Sequence, residues 1–140
     1  MSLYDKLMAA DDKTIQEKHT EEFHSDRLSE LLGVDTTITL EALPYRMVSR
    51  IMDAATKDNG RLDAEKAVDA RCHLIRKSVK DIPWGDEQLQ KKFHASDPKD
   101  LAEKLFDYEI GQIADAILEL SGYGEKEEEH EEELEEEVKN

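Results

Sequence analysis

The sequence is poor in the residues that carry common covalent and cofactor chemistry. Cys72 is the only cysteine in the chain, which excludes an internal disulfide and a structural zinc site built on several thiolates. The six glycines form neither a phosphate-binding loop nor a dinucleotide-binding pattern, and no serine stands in a nucleophile elbow. We therefore expect a protein that is not an enzyme, with no catalytic residues, no cofactor and no metal ion.

Long apolar runs and clustered basic residues are also missing. No run approaches the roughly 20 residues of a membrane span, and the N-terminus lacks the basic start and apolar stretch of a secretion signal. Lysine and arginine together number 19 against 35 acidic residues, a net charge of −16. Such a chain repels phosphate backbones and anionic lipid surfaces. We expect a cytoplasmic protein that binds neither nucleic acid nor membrane.

The negative charge is concentrated at the C-terminus. Residues 125–140 contain ten glutamates and two lysines, so this segment carries −8, half of the net charge. Only Leu134 and Val138 in it are apolar. Because adjacent glutamates repel and there is no core to bury, we predict a disordered acidic tail. We interpret it as a solubilising extension and not as a site for client proteins.

Helical spacing of apolar residues predicts a mainly α fold with a single domain of about five helices. Asp63, Asp86 and Asp97 are expected N-caps, and Pro44 and Pro98 stand where the first turn of a helix tolerates proline. The predicted helices cover residues 44–55, 63–81, 86–93, 97–106 and 110–120.

The N-terminal part has a different pattern. Residues 35–42 alternate strictly and are rich in β-branched side chains, so they predict a strand with Ile38, Leu40 and Ala42 on one face. Its expected partner is the stretch 22–28, which gives a short N-terminal β hairpin. Residues 1–22 are expected to be a short helix and a mobile segment, 23–124 a helical domain with the hairpin, and 125–140 the tail.

Two stretches superficially suggest metal chemistry. Cys72 and His73 are adjacent, but neighbouring helical positions point about 100° apart, and Cys72 lies on an apolar stripe typical of a buried thiol. The turn at 55–66 has the glycine of a calcium loop. It places Ala55, Lys57 and Lys66 where ligand oxygens are needed, which argues against calcium.

Apolar helical faces and one tryptophan are the candidates for protein binding. Each of them could instead pack in the core of the protein, because most helices gain their stability by burying such a face. Trp84, beside the turn at Pro83, is either an anchor for a partner or a plug on the core. The candidate partner-binding residues are Tyr45, Val48, Met52, Trp84, Ile110, Ile113 and Ile117.

Several segments together resemble a known family. They are SLYDKLMAAD at 2–11, RLSELLG at 27–33, the strand at 36–40, DPKDLAEKLF at 97–106 and ILELSGYG at 117–124. Their order and spacing are similar to the XkdN-like tail assembly chaperones of long-tailed phages and prophages, over most of residues 2–124. One departure is at 106–109, where the family pattern has a Pro-Gly turn and this chain has Phe-Asp-Tyr-Glu.

The resemblance implies a function. Such proteins bind the tape measure protein, keep it soluble, help recruit tail tube subunits in the host cytoplasm, and are absent from the mature virion. Many also exist as a longer, frameshifted product, and the resemblance leaves a homo-oligomer open. The alternative is a small acidic adaptor or nucleic-acid-mimic inhibitor that binds a basic host protein. In that case the acidic tail would be the centre of the activity, and affinity would fall steeply with salt.

Overall fold

The computed structural model describes residues 2–56, 60 and 63–123, and within them the protein is mainly α-helical. This confirms the predicted fold class. The acidic tail and most of the turn between the two central helices lie outside the described residues. The elements are α1 (Leu3–Ala9), α2 (Lys13–Gln16), β1 (Thr20–His24), α3 (Asp26–Leu32), β2 (Thr37–Glu41), α4 (Tyr45–Ala54), α5 (Ala64–Ser78), α6 (Glu87–Lys92), α7 (Pro98–Phe106), a 3-10 turn (Asp107–Glu109) and α8 (Ile110–Leu120).

Local capping explains where the helices begin. The five helices predicted from periodicity are present as α4 to α8. The Asp63 carboxylate accepts hydrogen bonds from the backbone of Glu65 and Lys66 at the start of α5. Asp86 and Asp97 cap α6 and α7 in the same way, and Pro98 occupies the first turn of α7.

The two strands form the predicted antiparallel hairpin near the N-terminus. Phe23 pairs with Ile38 and Thr20 with Glu41, and β2 buries Ile38 and Leu40 while Ala42, just after it, is half-buried. The predicted partner segment, 22–28, is wrong in its second half. The strand lies at 20–24 and the connection to β2 contains helix α3.

Two local signals produce this extra helix. The Ser25 hydroxyl accepts a hydrogen bond from the Leu28 amide and so caps α3. Gly33 ends the helix at φ 73°, a conformation that glycine adopts without steric cost. The division into segments 1–22, 23–124 and 125–140 stays a prediction, and β1 extends into the last residues of the first segment.

Helix α5 lies at the centre of the core and packs against α4, α7 and α8. Its residues Leu74 and Ile75 are fully buried, as are Phe106 of α7 and Ile113 of α8. The sheet is tied to the same helix, because the Ser78 hydroxyl donates to the Glu41 carbonyl (2.7 Å) and accepts from the Glu41 amide (2.9 Å). The core therefore forms around one central helix.

A buried carboxylate joins α3 to the turn before α8. Glu109 is only 2 % exposed. It accepts hydrogen bonds from the Ser25 hydroxyl (2.6 Å) and from the backbone amides of Asp26 (3.0 Å) and Arg27 (3.2 Å). The break at 106–109 is thus a short 3-10 turn, entered through Asp107 at φ 45°, and it aims Glu109 at the first turn of α3.

Candidate protein-binding groove

An open groove runs between α4 and α5 and has a volume of about 560 Å³. We call it the α4–α5 groove. Its floor is apolar, and its edges carry basic side chains. The lining residues are Pro44, Arg46, Met47, Arg50, Ile51, Ala54, His73 and Lys77. Apolar floors with polar edges are typical of surfaces that receive an amphipathic segment of another chain.

The groove is electropositive on a protein that is strongly acidic as a whole. Arg46, Arg50 and Lys77 are exposed cations, and none of the described residues that line the groove is acidic. The pKa of His73 is lowered below its ordinary value of 6.5, first by burial and then by the nearby charges of Arg76 and Lys77. His73 is therefore neutral at pH 7, and the three permanent cations set the potential.

A smaller hollow of about 270 Å³ adjoins the groove and shares Ile51, Ala54 and His73 with it. Its lining adds mostly basic side chains, and its acidic residue, Asp69, forms an ion pair with Lys99 at 3.0 Å. The cationic rim thus continues along α5 towards the start of α7, which lengthens the surface available to a partner.

The structure separates the candidate residues of α4. Tyr45 is 71 % exposed, and its ring stacks on Tyr123 with centroids 5.4 Å apart. Val48 is fully buried, and Met52 is half-buried against the core. The apolar side chains that α4 presents to the groove are those of Met47, Ile51 and Ala54.

The remaining candidates lie in or against the core, and core packing was the alternative to partner binding in the sequence analysis. Trp84 is buried, its indole N–H donates to the Val79 carbonyl (2.9 Å), and its ring is tilted against Phe106. Ile113 and Ile117 are fully buried, and Ile110 is half-buried. Their role in partner binding stays a prediction, and in this conformation they stabilise the fold.

Helix α1 presents a second apolar surface. Leu3, Tyr4, Leu7 and Met8 lie on one side of it, and each is between 65 % and 72 % exposed. The helix has a capping box in which Ser2 and Asp5 bond each other's backbone amides, and it buries no residue. Its apolar face is therefore open to a partner.

The thiol of Cys72 packs in the core and is not placed for chemistry. Cys72 is fully buried, and burial, followed by the charge of Glu103, raises the pKa of its thiol to about 11. Such a thiol is unreactive near neutral pH. The described part of the chain contains no group of three His, Cys, Asp or Glu side chains placed to bind a metal ion. Among the described helices, none has the length and apolar character needed to cross a membrane.

The basic rim was not predicted from the sequence, although a signal for it exists. Arg46 and Arg50 are four residues apart on α4, and His73 and Lys77 are four apart on α5. Each pair therefore lies on one helix face. The periodicity of apolar positions instead identifies the side of a helix that faces the core.

The described structure is thus that of a small, mainly helical protein with an open, basic-rimmed groove suited to binding another polypeptide. A family model for the phage XkdN-like tail assembly chaperone proteins matches residues 4–139, nearly the whole sequence. The chain belongs to this family, and the resemblance in its segments is confirmed. Comparisons with curated proteins and with solved structures found no match.

Proposed function

We propose that this tail assembly chaperone binds the tape measure protein of its phage, keeps it soluble and helps recruit tail tube subunits. The observation that carries the proposal is the α4–α5 groove, with its apolar floor at Met47 and Ile51 and its cationic rim. A long client rich in helical segments exposes apolar faces, and an amphipathic helix can place such a face in a groove of this kind.

The rim adds selectivity to the apolar contact. Arg46, Arg50 and Lys77 surround the floor, so an amphipathic helix with acidic flanks fits and one with basic flanks is repelled. The chaperone as a whole carries a net charge of −16. Because charge of one sign opposes contact between complexes, it keeps the loaded chaperone dispersed.

A protein that connects two tail components needs two separate surfaces. The exposed face of α1, formed by Leu3, Tyr4, Leu7 and Met8, is the second apolar surface in the described structure. We assign it to the tube subunit, since the groove is assigned to the tape measure protein. The connection takes place in the host cytoplasm before the tail is complete, and mass spectrometry of purified virions should detect no copies of this chain.

The experiment that tests this function measures affinity for the tape measure protein with the full chain and with a variant lacking residues 125–140. A chaperone that uses the groove binds the client at least as tightly after the deletion, while the complex becomes less soluble. A nucleic-acid mimic that uses its acidic tail would lose binding to its basic partner when the tail is deleted. The affinity of the full-length mimic would also fall steeply with added salt. Lost binding after the tail deletion would contradict the groove assignment.

A further inference from the structure

The described structure ends beside the α4–α5 groove. Tyr123, its last residue, stacks on Tyr45 at the first position of α4, and the Tyr123 amide donates to the Leu118 carbonyl at 2.7 Å. Arg46 and Arg50 line both the groove and a second hollow, whose lining also includes Tyr45 and Asp53. The residues that follow Tyr123 in the sequence therefore begin next to the cationic edge of the groove.

The groove and the residues after it have opposite charge. Among the described residues that line the groove, Arg46, Arg50 and Lys77 are permanent cations and none is acidic. Residues 125–140 carry ten glutamates, the densest negative charge in the chain. Leu134 and Val138 stand among these glutamates and offer the only apolar side chains of that segment to an apolar floor. The segment thus combines the two kinds of group that the groove can receive.

The distance to be covered is short. The ten residues of α4 span about 15 Å at 1.5 Å per residue. An extended chain covers this length with about five residues. A segment tethered so close to its site has an effective concentration of roughly millimolar order, so a contact whose dissociation constant lies well below that value is largely formed.

We propose that residues 125–140 bind the α4–α5 groove of the same molecule, with carboxylates at Arg46, Arg50 and Lys77 and apolar side chains over the floor. The tail then occupies the groove whenever no client is present. It shields the apolar floor from other proteins, and a client must displace it. This last statement rests on the proposed function, whereas the contact between tail and groove does not.

Carbodiimide cross-linking of the full chain tests the contact. The reagent joins carboxylates to lysines that touch them, and mass spectrometry locates the joined residues. We expect tail glutamates to be linked to Lys77, and not to the exposed Lys91 and Lys92 of α6, which serve as internal controls. Mixing unlabelled with ¹⁵N-labelled protein distinguishes links within one molecule from links between molecules. Links to Lys91 and Lys92 at equal yield, links only between molecules, or no tail links at all would each overturn the proposal.

A pair of charge-reversal variants sharpens the test. Arg46→Glu with Arg50→Glu should abolish the link to Lys77, and Lys91→Glu with Lys92→Glu, which changes the net charge equally, should leave it. Circular dichroism verifies that both variants are folded. Raising NaCl to about 1 M, where the Debye length is about 3 Å, should also remove the link. A link that survives the groove variant would overturn the proposal.

Adding the tape measure protein separates this inference from the proposed function. Loss of the link between tail and Lys77 on client binding supports both. A link that persists while the client is bound means that the client uses another surface, which overturns the displacement and the groove assignment but not the tail contact. Absence of the link before any client is added overturns the tail contact alone.

Discussion

The ring of Tyr123 stacks on the ring of Tyr45 at a centroid distance of 5.4 Å and an interplanar angle of 28°. This contact holds the end of α8 against the start of α4, and the Ser121 hydroxyl reinforces it by accepting a hydrogen bond from the Leu43 amide (2.9 Å). Two segments far apart in sequence therefore meet at one end of the α4–α5 groove. The end of the helical domain and the candidate client site are parts of one local structure.

Replacing Tyr45 by alanine should destabilise the protein slightly. The variant loses one stacked aromatic pair, which is worth about 1 kcal/mol. Urea unfolding followed by circular dichroism measures the change. The matched control is Tyr108→Ala, at a tyrosine that is 62 % exposed, where we expect an effect within about 0.5 kcal/mol. Equal losses in the two variants would show that the stack contributes nothing specific.

Replacing Glu109 by alanine should destabilise the protein far more than replacing an exposed glutamate. The change removes the acceptor of the Ser25 hydroxyl and of two backbone amides at the start of α3. Leaving one buried and two partly buried donors without an acceptor costs about 3 kcal/mol in total. Glu119→Ala, at an exposed position of α8, is the control. If both variants unfold at the same urea concentration, the hydrogen bonds of Glu109 to the start of α3 do not stabilise the protein.

Truncating an apolar residue of α8 should destabilise the protein, whereas truncating an apolar residue of α1 should leave its stability almost unchanged. Ile113 is fully buried, so Ile113→Ala should cost about 3 kcal/mol of stability. Leu7 is 65 % exposed, so Leu7→Ala should change stability by less than about 0.5 kcal/mol while weakening any partner that binds α1. Thermal unfolding measures both. A large loss of stability in the Leu7 variant would mean that α1 packs on the protein and is not an open surface.

His73 should make the stability of the protein depend on pH. Its folded-state pKa lies below the ordinary 6.5, so the unfolded chain takes up a proton before the folded protein does. The stabilisation from neutral His73 is present above pH 6.5 and is lost as the pH falls below that value through the folded-state pKa. The difference in stability between the wild type and His73→Asn should therefore shrink as the pH falls. A difference that stays constant from pH 8 to 5 would contradict the lowered pKa.

The sequence predicted those elements whose local signals agree with their surroundings. Helices α4 to α8 combine apolar periodicity with capping residues, and β2 alternates strictly, so their positions follow from short-range rules. Helix α3 was missed because Leu28, Leu31 and Leu32 fit no clear period. Only Leu28 of them is buried, since the helix is fixed by Ser25, Gly33 and the distant carboxylate of Glu109. Contacts across more than 80 residues leave no local pattern to read.

The residues that line the groove are not among the seven candidate residues, for a related reason. Periodicity correctly marked α4 as amphipathic, but it selects the face that packs inwards, and it therefore included the buried Val48. The groove lies on the flank of α4, where Met47 and Ile51 meet Lys77 of α5. A surface shared by two helices depends on how they pack, and the sequence of either helix alone does not specify that.

The most direct test of the central claim is co-expression of this chain with the tape measure protein of the same phage, followed by size-exclusion chromatography with light scattering. We expect a soluble complex with the wild type, its retention with Lys91→Glu and Lys92→Glu together, and its loss with Arg46→Glu and Arg50→Glu together. A tape measure protein that stays insoluble, or that elutes without the wild-type chain, would contradict the account. A complex unchanged by the groove variant would leave the chaperone role in place and contradict the site.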